Sequence, residues 1–268
     1  MKTINSLSGG KTSSYMAAHY PADYEIFALV TLENTNCTPK DSGLVKKVSD
    51  KIGRQFIATA EDDKTLLVML ELEQKIGREI KWVTGISFDA LNKKRKALPN
   101  RMWRYCTTEL KMRPIFDWWL QNISEKVQMN IGIRYDELER AEKIQNSFKG
   151  IVGSIGNRNK WEEIEWRLAK FPLIENKIMH PSVVTWAKST GLQFPNDSNC
   201  VGCFWKSINQ LRKNWEDNKE KMEWFSEQES TGNRWKKEMK YKSILNVGLQ
   251  KDFEFGEGAG CNAGFCTD

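Results

Sequence analysis

Histidine is nearly missing from this chain, with two in 268 residues. His19 and His180 have no ligand-like spacing and are read as structural. Long apolar runs are missing too. The longest clean stretch, Ile26 to Val30, is far too short to cross a bilayer. The N-terminus has no hydrophobic segment of the signal-peptide kind. No internal repeat and no low-complexity linker interrupts the chain. What remains is 40% hydrophobic and 28% charged, the composition of a soluble globular protein. The expected location is the cytoplasm, where clustered cysteines bind metal or do redox chemistry more often than they form disulfides.

The first fifteen residues hold the main feature. An apolar run, Thr3–Leu7, leads into Ser8-Gly9-Gly10-Lys11-Thr12-Ser13-Ser14. Adjacent glycines let the backbone approach an anion, and a helix starting at once turns its N–H groups and positive dipole end toward it. Lys11 adds a point charge, and Ser8, Thr12, Ser13 and Ser14 add hydroxyl donors. The spacing is not that of a Walker loop. The same residues also suit an ordinary strand–turn–helix with a serine cap.

Strands are predicted at Thr3–Leu7, Glu25–Thr31, Gln55–Thr59 and Val127–Ile133. Helices are predicted at Ser13–His19, Ser42–Lys51, Lys64–Lys75 and Leu110–Ile123. This alternation implies an α/β fold, a doubly wound parallel sheet with ligands beyond the carboxyl ends of its strands. After Pro195 the texture changes, so the chain divides into 1–195 and a Cys/Trp-rich, mainly helical appendage over 196–268. A long charged helix is expected there through about Glu229. Trp205, Trp215, Trp224 and Trp235 recur about three helical turns apart and are read as core anchors ahead of a platform for bases.

The net charge of +6 is unevenly spread. Lys75 to Arg113 holds eleven Lys or Arg against three acids, Glu79, Asp89 and Glu109. Such a block favours polyanions and is expected to line the entrance of the site, with a nucleic acid as a candidate acceptor. Solvated helix faces are the plainer explanation of most charge runs.

Six cysteines stand at 37, 106, 200, 203, 261 and 266. Cys200 and Cys203 form a C-x2-C pair able to reach one metal from a tight turn. Cys106, Cys261 and Cys266 offer further thiolates, and spacing alone does not separate iron–sulfur from zinc. Cys37 is read as a lone thiol.

Three further stretches join the first loop. They are Arg104–Ile115, with Cys106 ahead of Lys111-Met112-Arg113-Pro114; Gly132-Ile133-Arg134-Tyr135-Asp136-Glu137-Leu138-Glu139-Arg140-Ala141; and Phe171–Ile174, followed by a helix at Val183–Gly191, Phe194-Pro195 and the Cys200/Cys203 pair. Together they resemble, in order over residues 1 to about 206, the PAPS reductase-like family of the PP-loop ATP pyrophosphatase superfamily. The resemblance implies a PP-loop (HUP-like) sheet. It implies that Ser8, Gly9, Gly10, Lys11, Thr12 and Ser13 surround the phosphates of ATP or PAPS with Mg2+. Arg134 and Arg140 would lie at the mouth and Lys111 near the anionic substrate. Asp136 and Glu137 would orient these arginines, bind a metal, or cap the following helix. A 4Fe-4S cluster would be held by Cys106, Cys200, Cys203 and Cys266 (or Cys261), with zinc as the competitor.

The chain also departs from the family. Thr12 replaces the usual acid, and Tyr105 replaces the first member of an adjacent cysteine pair. The tail, Cys261-Asn262-Ala263-Gly264-Phe265-Cys266, has no histidine beside either thiol, while the first loop keeps Gly-Gly-Lys intact. The tail and the intact loop point away from a sulfonucleotide reductase. They point toward an ATP-dependent sulfur transferase acting through an adenylated acceptor, served by a sulfur-donor protein, with Lys11, Arg134 and Cys266 as catalytic candidates. The alternatives are the reductase itself, a PP-loop adenylating enzyme with structural zinc, and a non-catalytic nucleic-acid or partner-binding protein.

Overall fold

The centre of the chain is a sheet whose neighbouring strands all run parallel, seen in a computed structural model that describes residues 1–155, 158–196, 199–230 and 232–248. In chain order the first elements are β1 (Thr3–Leu7), α1 (Lys11–His19), β2 (Tyr24–Ala28), β3 (Thr31–Leu32), α2 (Ser42–Ile52) and β4 (Ala58–Thr59). Then come α3 (Asp63–Ile76), β5 (Ile80–Val83), α4 (Phe88–Arg95), α5 (Tyr105–Thr107) and α6 (Arg113–Asn122). Next are β6 (Val127–Ile131), α7 (Leu138–Ala141), β7 (Ser147–Ile155), β8 (Arg158–Glu165) and β9 (Arg167–Lys170). The described chain closes with α8 (Pro172–Glu175), α9 (His180–Thr190), α10 (Ile208–Asp217) and α11 (Lys219–Glu227).

The sheet order is β5-β2-β1-β6-β9. The chain steps one way from β1 to β2 and β5, then crosses to β6 on the other side. The switch point therefore lies between β1 and β6, where sheets of this kind open a crevice for ligands. Alternate residues serve opposite faces. Phe27 and Leu29 join one core with Met16, Leu44, Leu66 and Leu72 of α1, α2 and α3. Ile26 and Ala28 join another with Ile115, Phe116 and Trp119 of α6. Both faces are covered, as the parallel sheet requires.

Local chemistry sets the helix ends. Asp41, Asp62 and Ser87 cap α2, α3 and α4 through side-chain acceptors, and Gly53 and Gly77 end α2 and α3 in the left-handed region. A third core joins the two parts of the chain. Val30, Leu32, Ala58, Phe88 and Leu91 pack with Val201, Phe204, Leu211, Trp215, Trp224, Phe225, Trp235 and Tyr241. Residues on either side of Pro195 thus share one interior. Trp215, Trp224 and Trp235 are buried core anchors, as their spacing suggested.

Several expected elements differ. The strand expected at Gln55–Thr59 is only Ala58–Thr59, paired antiparallel with β3 outside the main sheet. The sheet is completed by β5 and β9, neither expected from the sequence. The long charged helix is two helices, α10 and α11, broken at Asn218. The helix expected from Leu110 begins regularly at Arg113, after a π-turn over Thr108–Met112. Among the described residues no helix is long and apolar enough to cross a membrane.

Candidate functional site

Leu7 ends β1 and the chain turns sharply through Gly9, whose φ of +80° is one that glycine adopts without a steric penalty. A Cβ there would fall 2.2 Å from Thr65 Cγ2 of α3, so loop and helix pack too closely for any side chain. Gly10 is the N-cap of α1 and brings no capping side chain, and the first turn holds no acid. That end of the helix is electrostatically suited to an anion. The loop is held by Ser13. Its Oγ accepts from Ser8 N at 3.2 Å, lies 3.2 Å from Ser8 Oγ and donates to Gly10 O at 3.2 Å.

Arg134 approaches from across the switch point, just beyond β6. Its Nη1 donates to Thr12 Oγ1 at 2.9 Å, and the side chain is buried. Asp136 Oδ1 accepts from Arg134 Nε at 3.3 Å, and Glu137 Oε2 lies 3.3 Å from Arg134 Nη2. Glu137 also binds the buried Arg140 through Oε1. Asp136 and Glu137 therefore orient arginines, one of the roles open to them in the sequence. Thr12, standing where an acid was expected, accepts a guanidinium hydrogen bond.

A second centre lies beyond the ends of β2 and β5. Cys106, Cys200 and Cys203 line one partly open recess, together with Arg104, Lys111, Asn199 and Trp205 among others. Burial pushes the Cys200 thiol well above its ordinary value, with the Lys111 ammonium pulling the other way. Among the described residues the buried Trp205 indole N–H has no hydrogen-bond partner. Three thiols and a spare buried donor suit a thiolate-ligated cluster in kind. Among the described residues, however, no three His, Cys, Asp or Glu side chains converge closely enough to hold a metal ion. Cys261 and Cys266 lie outside the described residues.

Lys111 belongs to this recess. Its Nζ lies 3.0 Å from Oε1 of the fully buried Glu61. The segment from Ala60 to Thr65 links the two centres. Ala60 O accepts from Val201 N at 2.7 Å, beside the cysteine pair, while Thr65 packs on Gly9. Lys221 reinforces the link, donating to Glu61 O and to Asp63 Oδ1, the latter at 2.6 Å.

The structure thus gathers Ser8, Gly9, Gly10, Lys11, Thr12, Ser13, Arg134 and Arg140 around the switch point, and Cys106, Cys200, Cys203 and Lys111 around the recess. The basic block does not act as one surface. Arg78 is bound to the buried Glu25 at 2.9 Å, Lys81 to Glu79, Arg95 to Glu109 and Lys111 to Glu61, while Lys93, Lys94, Lys96 and Arg101 face outward. Sequence reasoning missed Glu61, Asn199 and Lys221. The acidic run Glu61-Asp62-Asp63 ahead of α3 was the signal available. His19 is structural, stacked on Tyr15 with ring centroids 4.1 Å apart.

Compared with known proteins, the chain matches no family model, no curated protein and no solved structure significantly. The fold and the two centres define an α/β protein with a glycine loop at the switch point of a five-stranded parallel sheet.

Proposed function

We propose that the chain is a PP-loop enzyme of the PAPS reductase-like kind, located in the cytoplasm, which binds ATP at Ser8–Ser13 and transfers sulfur through an adenylated acceptor. One observation carries the reading. A buried guanidinium, a helix N-terminus whose N-cap is a glycine and a two-glycine turn meet at the switch point of the sheet, where an α-phosphate would be held by fixed donors. Lys11 and Arg134 would stabilise charge as the acceptor oxygen attacks that phosphorus and pyrophosphate departs, with Mg2+ on the leaving phosphates. Adenylation makes the acceptor oxygen leave as AMP when sulfur attacks.

In this reading Cys106, Cys200 and Cys203 are the recess thiols offered to a 4Fe-4S cluster, or to zinc in the competing reading, with Cys266 or Cys261 as fourth ligand, although among the described residues they do not converge on one ion. A bound cluster supplies sulfur or electrons. The intact Gly-Gly-Lys loop favours this reading over the sulfonucleotide reductase. The test is release of AMP and pyrophosphate from ATP by anaerobically purified protein, with iron and zinc measured on the same sample. ATP-dependent AMP release and bound iron are expected. Binding of PAPS with no affinity for ATP would replace the reading with the reductase.

A further inference from the structure

The loop beside the cysteine recess has an unusual surface. Between Asp89 and Glu109 the chain carries no acid and six cations, Lys93, Lys94, Arg95, Lys96, Arg101 and Arg104. Within this stretch Met102 is 94% exposed and Trp103 is 61% exposed. A tryptophan left in water on a basic surface has no role in packing the interior. It is also held in place. Asn100 Oδ1 accepts from Met102 N at 2.9 Å and from Trp103 N at 3.0 Å, and Asn100 N donates to Trp103 O at 3.1 Å. The Trp103 ring meets the buried Tyr105 edge-on, with centroids 6.2 Å apart. Arg101 and Arg104 lie over the Trp205 ring at 5.4 and 5.1 Å, which joins the loop to the wall of the recess.

We infer that this loop is a seat for single-stranded nucleic acid, with one unpaired base stacked on Trp103 and the flanking phosphates held by Arg101, Lys93, Lys94 and Lys96. The charge complements a polyanion, and the exposed, fixed ring supplies what a phosphate-only surface lacks. A duplex hides its base faces, so the seat selects unpaired strands. The inference rests on the sulfur-transfer reading for its chemistry alone, since it names the acceptor class of that reaction. The surface itself is independent of it. A base seated on Trp103 would lie at the rim of the cysteine recess, where an acceptor would need to be.

The experiment is fluorescence anisotropy with labelled single strands of about 16 nucleotides and the matching duplex, over a salt series. The full chain is used, and ATP binding is measured in parallel by equilibrium dialysis. Single strands should bind more tightly than duplex. Trp103→Ala should weaken them roughly tenfold with the salt slope unchanged, and Trp103→Phe should retain most of the affinity. Lys94→Gln should lower the salt slope by about one phosphate contact. Equal affinity for duplex, or a Trp103→Ala variant that binds as well as the parent, overturns the seat. So does an absence of binding at low salt. Loss of the seat with ATP binding intact rejects this inference alone. A working seat without ATP binding supports it and rejects the sulfur-transfer reading.

Discussion

The ammonium of Lys111 stands 3.0 Å from Glu61 Oε1, and both groups are withdrawn from water. A buried pair of this kind contributes little over apolar residues of the same shape, yet removing one partner strands the other. Lys111→Met should therefore cost about 3–5 kcal/mol. The double variant Lys111→Met, Glu61→Gln should recover much of the loss. Urea unfolding of the three proteins measures both. A single variant as stable as the parent would show that Glu61 is neutralised by other means.

Gly202 stands between the two cysteines of the C-x2-C pair, and a Cβ there would lie 2.3 Å from Phe225 Cγ. That ring belongs to the core joining the two parts of the chain and has no room to retreat. Gly202→Ala should destabilise by about 1–3 kcal/mol and displace the cysteine pair. Thermal unfolding gives the first quantity. Thiol labelling of Cys203 gives the second.

Lys11 begins α1 at the glycine turn. Its replacement by alanine should weaken ATP binding by about 1–3 kcal/mol, several-fold to a hundredfold, with the fold intact by circular dichroism. Isothermal titration reads the change. Unaltered affinity in a folded Lys11→Ala protein would move the phosphate site elsewhere.

Much of the site was legible because its signals are local. The glycine pair, the hydroxyls and an apolar strand adjoin in sequence, so the turn and its helix could be read from Thr3 to Ser14. The Arg134-to-Arg140 segment was likewise contained in one short motif. What escaped depends on distant partners. β5 is four residues, Ile-Lys-Trp-Val, inside a basic stretch, and its strand character comes from pairing with β2. β9 begins with Arg167, almost wholly buried because its guanidinium donates to Gln145 O at 2.8 Å and lies over the Trp166 ring. A buried arginine in a strand looks like a surface residue until its acceptor is known. The block from Lys75 to Arg113 misled in the same way. Charge counts do not reveal that Glu25 and Glu61 wait inside for Arg78 and Lys111.

Cys37 lies in the same core as the tryptophans, its thiol donating to Glu220 O at 3.5 Å. Burial raises its pKa from 9.0 to about 11. At pH 8 only about a thousandth of it is thiolate, so native protein should resist alkylation there and denatured protein should not. The folded form holds its proton longer than the unfolded one. Its contribution to stability is therefore complete below the unfolded value and is lost as pH rises through about 11. Iodoacetamide labelling read by peptide mass spectrometry, and urea midpoints from pH 8 upward, test both statements. Rapid native labelling at pH 8 would contradict the burial.

The core shared by Phe88 and Leu91 with Trp224 and Trp235 has a consequence for synthesis. Ribosomes deliver the amino-terminal strands first, and at ~5–20 residues per second the partners of α4 emerge seconds later. During that interval the nascent sheet shows water an apolar flank that only later translation can cover. The growing chain is then most exposed to chaperone capture. A pause ahead of residue 200 would lengthen the wait.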